Sequence, residues 1–189
     1  NENFKFATAK LVKISDVEVW AQRISYVGEL GFELYVKKEN ALKLFDILIN
    51  KGKTYKISLC GMHAMDIMRM ESGYLHWGHD ISPEENQFEA GLSFAVSFKK
   101  NINFIGRTAI EKKRDKKDHK KFKMLILNNS KEGAPLLLHD EPIYLKDKIV
   151  GRTTSGCYSF NYNKNLAFGY INSGLSSDQI DKQAFEIEV

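Results

Sequence analysis

The stretch Arg23-Ile-Ser-Tyr-Val-Gly-Glu-Leu-Gly-Phe-Glu-Leu-Tyr-Val36 predicts a β-hairpin, because two strand-like runs flank a short turn that carries two glycines. Gly28 and Gly31 bracket the turn, so the backbone can adopt positive φ at either end without the steric cost of a Cβ atom. We therefore expect this hairpin to organise the part of the chain around it.

The two faces of the predicted hairpin differ in chemistry. In a strand, alternate side chains point to opposite faces, so Ile24 and Tyr26 share one face of the first strand, and Glu33 and Tyr35 share one face of the second. The other face of the second strand is apolar, with Phe32, Leu34 and Val36. A carboxylate beside an aromatic ring on an open face suits a small ligand, and it also suits a structural salt bridge.

Composition indicates a globular protein. The 189 residues are 43% hydrophobic and 28% charged, with no apolar run long enough to cross a membrane and no signal peptide at the start. Cys60 and Cys157 stand singly, which favours reduced thiols and a cytoplasmic location, with a single long-range disulfide between them as the alternative. The chain begins without Met and ends on the alternating run 185–189, so we expect it to be a fragment of a longer protein.

The net charge of +4 is concentrated in one segment. Residues 111–123 hold eight basic and three acidic side chains, so the rest of the chain is slightly acidic. A solvated helix end or linker explains such a run best, with a phosphate-binding patch or the docking of an anionic partner as alternatives. Because the run has only Phe122 near its end and no series of interleaved aromatic residues for base stacking, nucleic-acid binding is not expected.

Periodicity predicts an α+β fold. Strands are expected within residues 1–22, a helix within 38–52 with Asn40 as its N-cap, a second helix at 62–71 and a strand at 92–98. Beyond the charged run, short strands separated by turns predict a small β-barrel or sandwich. The residues expected to face the core from the two helices are Ala41, Leu44, Phe45, Leu48, Ala64, Ile67 and Met68.

Signatures of common catalytic sites are absent from the sequence. It has no G-x-S-x-G elbow, Walker A motif or G-x-G-x-x-G motif. Cys60, His63, His76, His79 and Asp80 are potential metal ligands, but they lack the helical spacing that fixes two imidazoles on one face. We expect no metal site, and we assign no catalytic residue. Asp66 and Arg69 are expected to form a surface pair on the second helix.

Several motifs occur in order along nearly the whole chain: the hairpin stretch, Ala64-Met-Asp-Ile-Met-Arg69, Gly73-Tyr-Leu-His-Trp-Gly-His-Asp80, Glu89-Ala-Gly-Leu92, Phe104-Ile-Gly-Arg107, Gly151-Arg-Thr-Thr-Ser-Gly-Cys157 and Leu166-Ala-Phe-Gly-Tyr170. Together they resemble the glycine-cleavage T-protein (aminomethyltransferase) family. Within it, the chain is most similar to the folate-binding C-terminal part of dimethylglycine and sarcosine dehydrogenases.

The resemblance implies a tetrahydrofolate site on the hairpin. It makes Glu33 the leading anchor for the pterin ring, with Tyr26, Leu34 and Tyr35 along the same hairpin. Phe94 stands where the dehydrogenases carry a tyrosine, so it can stack but cannot donate a hydrogen bond. Aminomethyltransferases proper carry an arginine where this chain has Met65, and this departure favours the dehydrogenase branch.

The resemblance also implies a division of the chain. Residues 1–110 would form the later part of the folate-binding α+β domain, and residues 120–189 a truncated C-terminal β-barrel. The catalytic aspartate of the family lies in the earlier half of the module, so the chain alone should lack turnover. The implied partners are folate, a methylated amine or aminomethyl donor, and either an upstream FAD domain or a lipoyl carrier protein.

An alternative within the same fold is a non-catalytic folate-binding scaffold or assembly factor. Such relatives carry a Lys-Gly-Cys-Tyr-x-Gly-Gln signature. Here Gly156-Cys157-Tyr158 continues as Ser-Phe, so the signature is missing.

Overall fold

The computed structural model describes residues 3–100, 102–116 and 119–188. The chain divides into two compact units, with the boundary between Ser72 and Gly73. The first unit is a small sheet with helices, and the second is built around a larger antiparallel sheet. The predicted α+β fold is confirmed.

The first unit contains a three-stranded antiparallel sheet in the order β1-β2-β3. Its elements are β1 (Ala9–Ile14), β2 (Val17–Gln22), β3 (Glu33–Tyr35), α1 (Ala41–Gly52) and α2 (Met62–Glu71). Strand β2 alternates between buried and exposed residues, as a strand with one packed face should.

The core of the first unit lies between the sheet and helix α1. Val17, Val19 and Leu44 are its buried centre, and Leu34, Val36, Ile47 and Leu48 are among the residues packed against it. Two predicted core positions on α1 are wrong, because Ala41 is exposed and Phe45 is 47% exposed. Ile47 takes the place of Phe45, which turns the apolar stripe slightly around the helix.

The predicted hairpin is wrong in its first strand. The strand that pairs with β3 is β2, through Gln22↔Glu33, Ala21↔Leu34 and Trp20↔Tyr35, and residues 23–32 form the connection. Ile24 and Tyr26 therefore lie in a loop. Gly28 has a φ of +75°, as expected, and the Cβ of any larger residue there would overlap the hydroxyl of Ser72. Gly31 is not in the left-handed region.

Helix α2 has the predicted bounds but a different packing face. Arg69 and Met70 are buried, whereas the predicted contacts Ala64, Ile67 and Met68 are only partly buried. The predicted surface pair is wrong in its location: Arg69 Nε lies 3.4 Å from Asp66 Oδ1, and the Arg69 side chain is only 3% exposed. A buried guanidinium needs partners, and Asp66 is one of them.

The second unit contains a five-stranded antiparallel sheet in the order β4-β7-β6-β5-β8. The sheet is open in the described part of the chain. Its elements are α3 (Arg107–Arg114), β4 (Lys121–Ile126), β5 (Pro142–Leu145), β6 (Lys148–Ser159), β7 (Lys164–Ile171), α4 (Ser177–Ile180) and β8 (Glu186–Ile187). The predicted small β domain is confirmed.

Both faces of the larger sheet carry buried side chains. On one face Ile143, Ile171 and Ile180 form a buried cluster. On the other, the ring of Phe122 lies 5.0 Å from that of Phe168, edge to face. Helix α4 was not predicted, although Ser176-x-x-Gln179 forms a capping box, a pattern that can be recognised in the sequence.

The strand predicted at residues 92–98 is wrong. Ser93–Ala95 form a single turn of 3₁₀ helix instead. Phe98 stacks on Phe88 with ring centroids 6.3 Å apart, and the guanidinium of Arg114 lies over the Phe98 ring. Alternation alone does not make a strand, because a strand also needs a neighbour for its backbone hydrogen bonds.

Candidate functional site

Glu33 and Tyr35 form a hydrogen-bonded pair on the exposed face of β3. The two residues are separated by one position, so both side chains point away from the core, and the Tyr35 hydroxyl donates to Glu33 Oε2 at 2.5 Å. This hydrogen bond, together with the negative charge of Glu33, raises the pKa of Tyr35 above its usual value. The tyrosine therefore remains a donor and holds the carboxylate in one orientation.

The neighbouring strands extend this face in register. Opposite Glu33 lies Gln22, and opposite Gln22 lies Ala9. Opposite Tyr35 lies Trp20, and opposite Trp20 lies Leu11. We call these six residues the outer face; it consists of one row ending in the carboxylate and one apolar row.

The other predicted site residues lie in different surroundings. Leu34 points away from Glu33 and packs on the core, so only its backbone reaches the outer face. Tyr26 is partly buried in the connection 23–32. Phe94 belongs to the second unit, where its side chain is 83% exposed. The structure thus brings together Glu33 and Tyr35, while the proximity of Phe94 to them stays a prediction.

Asp80 is the centre of a buried polar cluster in the second unit. Its side chain accepts hydrogen bonds from Thr154 Oγ1 at 2.6 Å, from Ser155 Oγ at 2.7 Å and from the backbone N–H of His76 at 2.8 Å. The hydroxyl of Tyr170 donates to the Asp80 carbonyl at 2.8 Å. These bonds fasten the turn at residues 76–80 to strands β6 and β7, so Asp80 has a structural role.

A second carboxylate supports the same region. Glu85 accepts hydrogen bonds from Ser82 Oγ at 2.7 Å and from Lys120 Nζ at 2.5 Å. The Lys120 ammonium also lies 4.7 Å from the centre of the Tyr170 ring. Burial, followed by the charges of Glu85, Asp80 and Glu89, raises the pKa of Tyr170 far above its usual value. Tyr170 is therefore a permanent hydrogen-bond donor.

Sequence reasoning considered Asp80 only as a metal ligand and missed its structural role. Its partners lie 74 and 75 residues away, so no local spacing could have indicated them. Within residues 3–100, 102–116 and 119–188, no group of three or more His, Cys, Asp or Glu is arranged to hold a metal ion. The outer face, with its oriented and exposed carboxylate, is the better candidate for binding a ligand.

Two protein families match consecutive parts of this chain. The GCVT N-terminal domain matches residues 1–100, and the glycine cleavage T-protein C-terminal barrel domain matches residues 120–189. Human mitochondrial dimethylglycine dehydrogenase is 38% identical over 176 residues, covering 92% of this chain. An aminomethyltransferase from Symbiobacterium thermophilum is 36% identical over 167 residues, covering 88% of this chain and 44% of its own length.

A solved structure shares the fold. The aminomethyltransferase T of the glycine cleavage system from Bartonella henselae superposes with a TM-score of 0.76 over 91% of this chain and 46% of its own, at 20% identity. The chain spans only 20% of the length of the human dehydrogenase. No helix in the described ranges is both long and apolar enough to span a bilayer.

Proposed function

Because the chain belongs to the glycine cleavage T-protein family, we propose that it is the tetrahydrofolate-binding part of a one-carbon transfer enzyme. The full-length protein would be a folate-dependent demethylating dehydrogenase of the dimethylglycine or sarcosine type, or an aminomethyltransferase. The observation that carries this proposal is the exposed Glu33 carboxylate, oriented by Tyr35 on the outer face.

The chemistry of Glu33 fits a pterin ring. A carboxylate offers four lone-pair sites on two oxygens, and Tyr35 uses one of those on Oε2. The Tyr35 hydroxyl leaves Oε1 and the second lone pair of Oε2 unused. Adjacent N–H donors, such as the ring N–H and amino group of a pterin, can therefore form a charge-assisted pair with this carboxylate.

The roles of this chain in the proposed reaction are binding and orientation. Bound tetrahydrofolate would supply the nitrogen that accepts a one-carbon unit. Glu33 anchors the ring, and Tyr35 positions Glu33. Leu34, between them on β3, and Tyr26, in the connection 23–32, would line the same site, and the assignment of Phe94 to it stays a prediction.

The acid–base chemistry is assigned to the full-length protein and not to this chain. The one-carbon donor would be a methylated amine or an aminomethyl group. An FAD-containing domain would oxidise a methylated amine, whereas a lipoyl carrier protein would present an aminomethyl group. The cytoplasmic location remains a prediction.

Calorimetry with tetrahydrofolate tests the role of Glu33 in the full-length protein. Glu33→Gln keeps the shape of the side chain but removes its charge, so affinity should fall by about tenfold or more, the value of one charge-assisted hydrogen bond. Glu29→Gln is the matched control, because Glu29 is an exposed carboxylate in the adjacent connection. Equal affinity in the wild type and Glu33→Gln would leave Glu33 with only a structural role.

Turnover separates the enzyme from a non-catalytic scaffold of the same fold. The full-length protein should transfer a methylene group to tetrahydrofolate, and Glu33→Gln should weaken this mainly through the Michaelis constant for folate. Folate binding without any transfer from methylated amines or an aminomethyl donor would favour the scaffold.

A further inference from the structure

We infer that Trp20 forms part of the same ligand site, as the surface on which the pterin ring of the folate stacks. This inference rests on the proposed function, since it takes the anchoring of the ring by Glu33 as its starting point. It assigns Trp20 a role that neither the hairpin motif nor its spacing indicated.

The register of the sheet places Trp20 beside the proposed anchor. Trp20 pairs directly with Tyr35, and Gln22 pairs directly with Glu33. Directly opposite side chains in an antiparallel pair have their Cβ atoms about 5 Å apart, and diagonal neighbours remain within reach of an aromatic side chain. The indole and the carboxylate are diagonal neighbours on one face.

Burial shows that Trp20 points outward. On either side of it along β2, Val19 is completely buried and Ala21 is 3% exposed, whereas Trp20 is 45% exposed. Its apolar neighbours across the sheet, Leu11 and Tyr35, are 58% and 51% exposed. An outward indole next to an oriented carboxylate is not needed for the core, which lies on the opposite face.

The two rows of the outer face match the two properties of a pterin. The ring system is flat and aromatic, so its face can stack on an indole, and its edge carries N–H donors and a carbonyl. The carboxylate of Glu33 meets the donors, and the Gln22 amide offers both a donor and an acceptor to the same edge. Ala9 completes the polar row with a small side chain, which leaves room above it.

Two variants of Trp20 in the full-length protein separate stacking from other roles. Trp20→Leu removes the aromatic face, and its affinity for tetrahydrofolate should fall about tenfold, in the range measured for stacking of one base on an aromatic side chain. Trp20→Phe keeps a ring and should retain most of the affinity. Phe45→Leu is the matched control, because Phe45 is a 47% exposed aromatic residue of the same unit on helix α1, and its affinity should be unchanged.

Fluorescence gives a readout that a merely structural residue would not affect. Tetrahydrofolate should quench part of the tryptophan emission of the wild type, and Trp20→Phe should remove that part although it still binds. Unchanged quenching in Trp20→Phe, or unchanged affinity in Trp20→Leu, would overturn the inference. If Glu33→Gln weakens binding while Trp20→Leu does not, the stacking role of Trp20 is wrong but the proposed site stands. If neither variant changes the affinity, the proposed site is wrong as well.

Discussion

At the scale of single residues, Glu85 shows how opposing effects set a carboxylate's pKa. Burial by itself raises the pKa, but the hydrogen bonds from Lys120 and Ser82 and the charge of Lys120 outweigh it, so the pKa lies below its usual value. A carboxylate with a depressed pKa in the folded state stabilises the fold above its unfolded pKa. That stabilisation is lost as the pH falls through the folded pKa.

Glu85→Gln should therefore lower the free energy of unfolding at pH 7 by about 2 kcal/mol, the value of hydrogen bonds to a charged group. The difference from the wild type should shrink as the pH falls below about 4.3, the usual pKa of glutamate. Urea unfolding at a series of pH values measures this. Glu84→Gln, on the exposed neighbour, is the control and should change the free energy of unfolding at pH 7 by less than about 0.5 kcal/mol. If the free energies of unfolding of the wild type and Glu85→Gln differed by the same amount at every pH, the stabilising role of the ionised Glu85 would be contradicted.

The sequence could predict which side chains share a face of one strand, but it could not predict which residues far apart in the chain form contacts. Glu33 and Tyr35 share a face because the period of a strand is two, and this was predicted although the partner strand was misplaced. Phe94 was placed on a strand by the same rule, and wrongly, because alternation in a short segment is compatible with a turn. The hydrogen bonds of Asp80 to Thr154 and Ser155 could not be predicted, because only the folding of the second unit brings these residues together.

At the scale of elements, two other segments of the second unit approach strand β6 closely. A Cβ atom at Gly156 would lie 2.0 Å from the carbonyl oxygen of Leu137, and one at Gly151 would lie 2.0 Å from that of Tyr170. Both obstacles are backbone atoms, which cannot turn aside as a flexible side chain can. The glycines of the Gly-Arg-Thr-Thr-Ser-Gly motif therefore permit two segments to approach the strand closely.

Gly156→Ala should lower the free energy of unfolding of the second unit by about 3 kcal/mol, since overpacking at a backbone contact forces the segments apart. Thermal or urea unfolding measures the change. Gly61→Ala is the control, because no atom lies within 4 Å of its added Cβ and its φ is −88°. There the loss should stay below about 1 kcal/mol. An equal loss at both positions would show that the close approach is not what β6 requires.

At the scale of the whole molecule, the compact second unit begins well before its sheet. Asp80 binds β6, Glu85 binds Lys120, and the backbone N–H of Phe122 on β4 donates to the carbonyl of Glu89 at 2.9 Å. The predicted domain boundary between residues 110 and 120 stays a prediction. These contacts give a reason to test it against the boundary after Ser72.

A segment of residues 73–189 should therefore unfold more cooperatively, and at a higher temperature, than a segment of residues 120–189. The shorter segment lacks the Asp80 groups that Thr154, Ser155 and Tyr170 bind, so it loses the hydrogen bonds that fasten the turn at residues 76–80 to β6 and β7. Calorimetry of the two segments measures the difference. Equal melting temperatures would favour the boundary predicted from the sequence.

The different exposure of the two cysteines allows thiol labelling to measure how often the larger sheet opens. Cys60 is exposed, whereas Cys157 is buried near the C-terminal end of β6, opposite the fully buried Leu166, and both side chains are reduced thiols. A thiol reagent should modify Cys60 at once, and Cys157 only when β6 parts from its neighbours. The rate of the slow phase therefore reports the opening free energy of the larger sheet under native conditions, without any denaturant.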